Sequence, residues 1–283
     1  MKLVRYGMPG EERPGLIDAA GTLRDLGAHV DDIDAATVRV EKLADLMTLD
    51  PASLPEIGGE PRLGPPLNPK TVGKCVCIGL NFSDHAEETG NPIPSEPIVF
   101  MKATSAITGP YDPVILPRGS VKSDWEVELA FVVGKRAKYV PESEALGYVA
   151  GFVNFNDVSE RNYQLERGGQ WTKGKSCDTF APMGPWLVTP DEVGNVDELA
   201  MWCDVDGRRM QDGTSATMIF RVPTIVSYLS QMFALEPGDV VATGTPPGVG
   251  AGMKPPTFLR AGQTMVTGIA KLGEMRNEIR ADD

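Results

Sequence analysis

The chain predicts a mixed, β-rich α+β fold in which a small N-terminal β-containing domain precedes a larger main domain. Three observations carry this. Gly 31 and Pro 24 are scattered through the 283 residues, which breaks the chain into many short elements. Apolar segments of strand length recur along it, whereas one long stretch has convincing helical periodicity. At 41 % apolar residues, the chain also has material for a substantial core.

Taken in order, residues 2–25 contain the short runs MKLVRY, PGLID and TLRDL between turn residues, as in an antiparallel meander. A short helix is expected near 41–47. Residues 58–69, GGEPRLGPPLNP, have no periodicity and divide a domain and linker at 1–69 from a main domain at 70–283. Strands are predicted at 72–80, 97–102, 127–134, 148–157, 199–207 and 239–244. Asp206-Gly207 suits a two-residue hairpin, whose centres both require positive φ. PTIVSYLSQMFAL reads as a helix, with Pro223 in its first turn and Pro237-Gly238 stopping it. Ile225, Val226, Leu229, Met232 and Phe233 would share its apolar face.

Composition excludes several classes. The balance of 27 Lys+Arg against 39 Asp+Glu gives −12, which repels nucleic acid and anionic lipid. No run approaches the ~18 apolar residues of a membrane span, and the N-terminus lacks the apolar core of a secretory signal. The expected address is cytoplasmic. Cys75, Cys77, Cys177 and Cys203 lack zinc-site or disulfide spacing. Alternation puts Cys75 and Cys77 on one strand face, as small buried hydrophobes.

In DWEVELAFVVG the same alternation puts Glu126 and Glu128 on one face, opposite Val127, Leu129 and Phe131. Their Cα atoms would lie about 6.6 Å apart, close enough for both carboxylates to meet one ion. Asp157, ending the apolar run YVAGFVNFND, offers a third oxygen ligand. Carboxylates without His or Cys suit Mg²⁺, Mn²⁺ or Ca²⁺, with magnesium the first choice. The competing reading is a solvated strand face.

Only His29 and His85 are available for histidine chemistry. Asp84 and Glu87 resemble a capping box, and the helix they open would place His85 and Glu88 at i and i+3. Glu88 could then orient His85 as a general base; the alternative is a surface histidine beside acidic residues. His29 has no such neighbours and reads as structural. GQWTKGKS, 169–176, matches the P-loop pattern, but no apolar strand precedes it, and Pro182, Gly184 and Pro185 break any following helix. Lys175 remains a candidate cation for a substrate oxyanion. GTPPGVG, 244–250, is followed by two prolines where a dinucleotide-binding helix would run, so it reads as a turn approaching a ligand.

Together, GLNFSDHAEETG, PIVFMKATSAITGP, the Glu126/Glu128 strand, GFVNFNDVSERNYQ, GKSCDTFAPMGPW and ATGTPPGVG resemble the fumarylacetoacetate hydrolase family over about 70–275. The resemblance implies a β-roll-like catalytic domain, usually in a homodimer. It places Mg²⁺ or Mn²⁺ on Glu126, Glu128 and Asp157, with Ca²⁺ as a substitute in a crystal. His85 and Glu88 match the family's HxxE pair, Lys175 and Lys102 would compensate substrate charge, and Gln164 and Thr245 match positions near the substrate pocket. The implied reaction is cleavage of the C3–C4 bond of a 2,4-dioxo acid, either an acylpyruvate or a 2,4-dioxo-3-deoxy sugar acid, to pyruvate and a second carboxylic acid. Hydration, isomerisation and decarboxylation of an oxo acid use similar ligands. A nucleotide hydrolase and a non-catalytic oxo-acid-binding protein are the readings from other classes.

Overall fold

The computed structural model describes residues 1–282. One sheet runs Leu23–Asp25, Arg13–Ile17, Lys2–Tyr6, Ala181–Val188, Val149–Asn156, Val127–Val133, Val240–Ala242, Cys75–Gly79 and Ile98–Lys102, with Ile107–Thr108 beside Ala181–Val188. A five-stranded sheet runs Arg208–Thr214, Ala200–Val205, Thr264–Ile269, Gly273–Ala281 and Val114–Leu116. The large sheet is mixed, because Val240–Ala242 pairs parallel with Cys75–Gly79 and antiparallel with Val127–Val133. Its central strands are covered on both sides, so they read as nearly unbroken apolar runs.

Alternation sorts these side chains between two cores. Val127, Leu129, Phe131 and Val133 enter one cluster, while Ala130 and Val132 enter the other with Cys75, Cys77, Val153 and Phe155. Cys75 and Cys77 are therefore buried together as expected, and burial pushes the Cys77 thiol up. The predicted N-terminal meander is present and continues the main sheet, with Lys2 opposite Val188. Leu3, Leu16 and Leu26 also share the second cluster with Ala130 and Val153.

The expected hairpin joins Ala200–Val205 to Arg208–Thr214, with Asp206 at φ 50° and Gly207 at φ 75°. The first helix spans Val40–Leu46. The predicted long helix spans Val222–Met232 and differs in two respects. Met232 is exposed, because the buried stripe runs through Val222, Ile225, Val226, Leu229 and Ser230. Ser230 earns that place through its hydroxyl, which accepts the amide of buried Val140 at 2.9 Å. The helix also ends before Pro237-Gly238, because Phe233 turns extended at φ −141°, ψ 159°. Among the described residues no helix is long and apolar enough to cross a membrane.

Candidate active site

The strand that feeds apolar residues into both cores also carries the acidic cluster. Glu128 continues the face of Ala130 and Val132, and pairs in register with Phe155. Two residues further, the Asp157 amide donates to the Glu126 carbonyl at 2.9 Å, which sets these residues opposite each other. Glu126, Glu128 and Asp157 consequently converge, with one ligand oxygen from each lying within 4.8 Å of the others. All three are buried, which overturns the solvated-face reading.

Their partners differ. Lys175 Nζ lies 2.6 Å from Glu126 Oε2 and 2.7 Å from Asp157 Oδ2, while Arg161 Nη1 lies 2.7 Å from Glu126 Oε1. Burial alone would raise the Glu126 pKa, but these cations outweigh it and bring it down to about 2. Lys175 is held charged by the reciprocal effect: burial would lower its pKa, and the Asp157 and Glu126 carboxylates raise it. Glu128 forms no ion pair among the described residues, and Oε2 accepts only the Gly244 amide at 2.8 Å. Burial, followed by the charges of Asp157 and Glu126, pushes its carboxyl well above the ordinary value. A hard divalent cation fits this donor set: three carboxylates, no nitrogen or sulfur ligand, and one buried carboxyl lacking a positive partner.

Glu126, Glu128 and Lys175 open onto a cavity of about 570 Å³ that His85 and Glu88 also line. His85 Nδ1 is 3.2 Å from Glu88 Oε2, on the helix Ser83–Thr89. Both Glu88 oxygens accept the Gly248 amide at 3.1 Å, so the pair is fixed from outside its helix. The expected capping box is absent. Phe82, buried and without a capping side chain, precedes the helix; Asp84 is already in the first turn, where its carboxylate accepts the His85 amide at 2.9 Å.

The remaining sequence candidates divide. Gln164 is buried in the cavity wall, and its Oε1 accepts Arg161 Nη1 at 3.0 Å. Thr245 also lines the cavity, but its hydroxyl donates to the Val127 carbonyl and accepts from Gln211 Nε2, each at 2.8 Å. Its single donor is thus committed to the strand, and a donor role toward substrate is withdrawn. Lys102 does not line the cavity. Its ammonium donates to Asp157 Oδ1 at 2.5 Å and to the Val158 carbonyl at 3.1 Å, so its charge supports one of the clustered carboxylates from outside the cavity lining. The P-loop reading fails as its context required: Thr172–Lys175 is a four-residue helix, preceded by the helix Arg161–Leu165. Gly174 serves close packing, since a Cβ there would come within 2.4 Å of the Glu160 carbonyl and 2.5 Å of the Gln164 amide.

Two residues not singled out from sequence organise the site. Fully buried Asp124 accepts the amides of Gly250 at 2.7 Å and Ala251 at 2.9 Å, as well as Arg161 Nε at 2.8 Å. Arg161, bridging Asp124 and Glu126, thereby ties the acidic cluster to residues 244–252. That segment also contacts Glu128 through Gly244 and Glu88 through Gly248. It registers the His85–Glu88 pair against the carboxylates.

Comparison with known proteins places the chain as a whole. The model for the fumarylacetoacetate (FAA) hydrolase C-terminal domain matches residues 74–280. A Burkholderia cenocepacia protein provisionally described as a hydrolase is 54 % identical over 281 residues, covering 99 % of each chain. The fumarylacetoacetate hydrolase of Exiguobacterium antarcticum superposes with a TM-score of 0.88 at 33 % identity, over 100 % of both chains. The maleylpyruvate hydrolase of Sphingobium sp. SYK-6, solved with manganese(II) and pyruvate, gives 0.82 at 25 % identity, again over 100 % of both. Structures similar over the whole chain also include isomerases of Mycobacterium smegmatis and Mycobacterium marinum, at TM-scores of 0.77 and 0.76 and 27 % and 28 % identity.

Proposed function

The chain belongs to the fumarylacetoacetate hydrolase family, and on that premise we propose that it is a divalent-metal-dependent hydrolase. The reaction is cleavage of the C3–C4 bond of a small 2,4-dioxo acid, giving pyruvate and a second carboxylic acid. The observation that carries this reading is the juxtaposition, around one cavity, of the Glu126/Glu128/Asp157 cluster and the His85–Glu88 pair.

Glu126, Glu128 and Asp157 would hold Mg²⁺ or Mn²⁺, which when bound supplies Lewis-acid polarisation of a 2-oxo carboxylate. The manganese and pyruvate in the Sphingobium relative support this class of ligand. Glu88 accepts from His85 Nδ1–H, which leaves Nε2 as the basic nitrogen. Nε2 removes a proton from water as its oxygen bonds to C4. Lys175 uses two of its three N–H donors on Glu126 and Asp157 and retains one for the oxygen on C4. The C3–C4 electron pair then leaves with the pyruvate fragment as its enolate, and protonation at C3 completes consumption of one water. Gln164 contributes its amide N–H to the substrate carboxylate. A homodimer and a cytoplasmic address complete the proposal.

Incubation with Mg²⁺ and a panel of 2,4-dioxo acids, followed by NMR, tests the reading. Equal amounts of pyruvate and the second acid support it. Products isomerised or decarboxylated without C3–C4 cleavage would assign the site to the other oxo-acid chemistries.

A further inference from the structure

Besides the charged groups, Ile78, Leu80, Phe100, Trp171 and Val249 line the same cavity. Lys175 Nζ stands 5.1 Å from the centroid of the Phe100 ring. Phe100 in turn meets Trp171 edge to face, with centroids 5.3 Å apart and planes at 69°. The indole also lies against Gly79, where an added Cβ would come within 2.5 Å of its Cζ3 atom. Gly79 is buried in the strand Cys75–Gly79, so at this contact the indole rests against backbone, while Phe100 packs on it as well.

Glu87, Thr89, Asn91 and Lys254 add polar groups to the lining, all at exposed positions. Further in, the Thr245 hydroxyl donor is used by the Val127 carbonyl. A polyhydroxylated substituent would bring several hydroxyls against rings and aliphatic carbons that offer them no partners. A flat or branched hydrocarbon substituent would instead exchange water for this wall.

We propose that Trp171 is a specificity-determining residue that selects 2,4-dioxo acids bearing a flat or apolar group on C4, in preference to sugar-derived ones. This rests on the hydrolase reading above, and it narrows the two substrate classes to the acylpyruvates, with aryl, alkenyl or branched alkyl acyl groups.

The test compares acetylpyruvate, benzoylpyruvate and a 2,4-dioxo-3-deoxy sugar acid on wild type, Trp171→Ala, Trp171→Phe and Gly79→Ala, all with Mg²⁺. Wild type should give its highest kcat/KM on benzoylpyruvate and its lowest on the sugar acid. In Trp171→Ala the benzoyl-to-acetyl ratio of kcat/KM should fall roughly tenfold or more, chiefly through KM, with Trp171→Phe in between. Gly79→Ala, which keeps the indole but displaces it, should lower the same ratio. A parallel binding arm uses phenylpyruvate and pyruvate, which contain no C3–C4 bond to a second carbonyl. Phenylpyruvate should bind tighter than pyruvate to wild type, and the difference should shrink in Trp171→Ala.

Equal losses on all substrates, or a wild-type preference for the sugar acid, would overturn the inference while leaving C–C hydrolysis intact. Absence of cleavage with every dioxo acid would instead overturn the hydrolase reading, and the phenylpyruvate comparison would still decide the role of Trp171. If Trp171→Ala does not fold, Trp171→Phe and Gly79→Ala carry the decision.

Discussion

Glutamine substitutions at Glu126 and Glu128 should have opposite consequences in metal-free protein, although the two residues are neighbours on one strand face. Glu126 is charged and clamped by Lys175 and Arg161. Neutralising it leaves both cations without part of their compensation, and breaking a buried pair in this way costs about 3–5 kcal/mol. At about 2–4 °C per kcal/mol for a chain near this size, Glu126→Gln should melt roughly 6–20 °C lower in EDTA. Glu128 has no ion-pair partner among the described residues, and its environment favours the protonated carboxyl, which Gln imitates in size and polarity. Glu128→Gln should therefore stay within about 1 kcal/mol of wild type in EDTA. With Mg²⁺ at a hundred times its dissociation constant, wild type should gain about 2.7 kcal/mol, or roughly 5–11 °C, and Glu128→Gln should lose most of that gain. Thermal melts of the three proteins in EDTA and in MgCl₂ measure all of this. A loss above about 3 kcal/mol for Glu128→Gln in EDTA, or an undiminished magnesium shift, would refute the assignment.

The pH dependence of metal-free protein follows from the same carboxyl: folded Glu128 binds its proton more tightly than the unfolded chain does, so stability should fall as pH rises from about 4.3, the unfolded glutamate value. Glu128→Gln should remove that part of the slope in denaturant melts across pH, and identical slopes would count against it. His85→Ala should lower cleavage by about 10²–10⁴ while metal-dependent deuterium exchange at C3 persists; parallel NMR of exchange and product release checks this, and wild-type cleavage would make His85 a surface residue. Asp124→Asn should cut kcat more than magnesium affinity, because it loosens residues 244–252 and with them Glu88. Calorimetric Mg²⁺ titration beside steady-state kinetics separates the two, and an unchanged kcat would reduce Asp124 to a packing residue.

The acidic cluster was legible in the sequence because a strand's period of two needs no tertiary information to put Glu126 and Glu128 on one face. Asp157 followed from its place at the end of the next apolar run, and His85–Glu88 from helical spacing. What stayed hidden depends on contacts distant in sequence. Arg161 and Asp124 are ordinary charged residues until the fold brings residues 244–252 onto the Asp124 carboxylate. Lys102 and Thr245 were placed near the site by resemblance, but sequence cannot show that Lys102 donates to Asp157 and Val158 or that the Thr245 hydroxyl donates to Val127. The apolar pattern assigned Met232 to a helix face, but the buried stripe includes Ser230, whose hydroxyl accepts the distant Val140 amide, and leaves Met232 exposed. The capping-box pattern at Asp84 and Glu87 lay two residues too far into its helix for the same reason: Phe82, fixed by the core, occupies the N-cap position.

The central claim, metal-dependent C3–C4 hydrolysis, is tested most directly by following benzoylpyruvate by NMR with protein stripped of metal and then resupplied with Mg²⁺ or Mn²⁺ in ¹⁸O-labelled water. The account predicts no turnover after stripping, and after resupply equal yields of pyruvate and benzoate with one ¹⁸O entering the benzoate carboxylate. Full activity in the stripped protein, or consumption of substrate without release of benzoate, would contradict it.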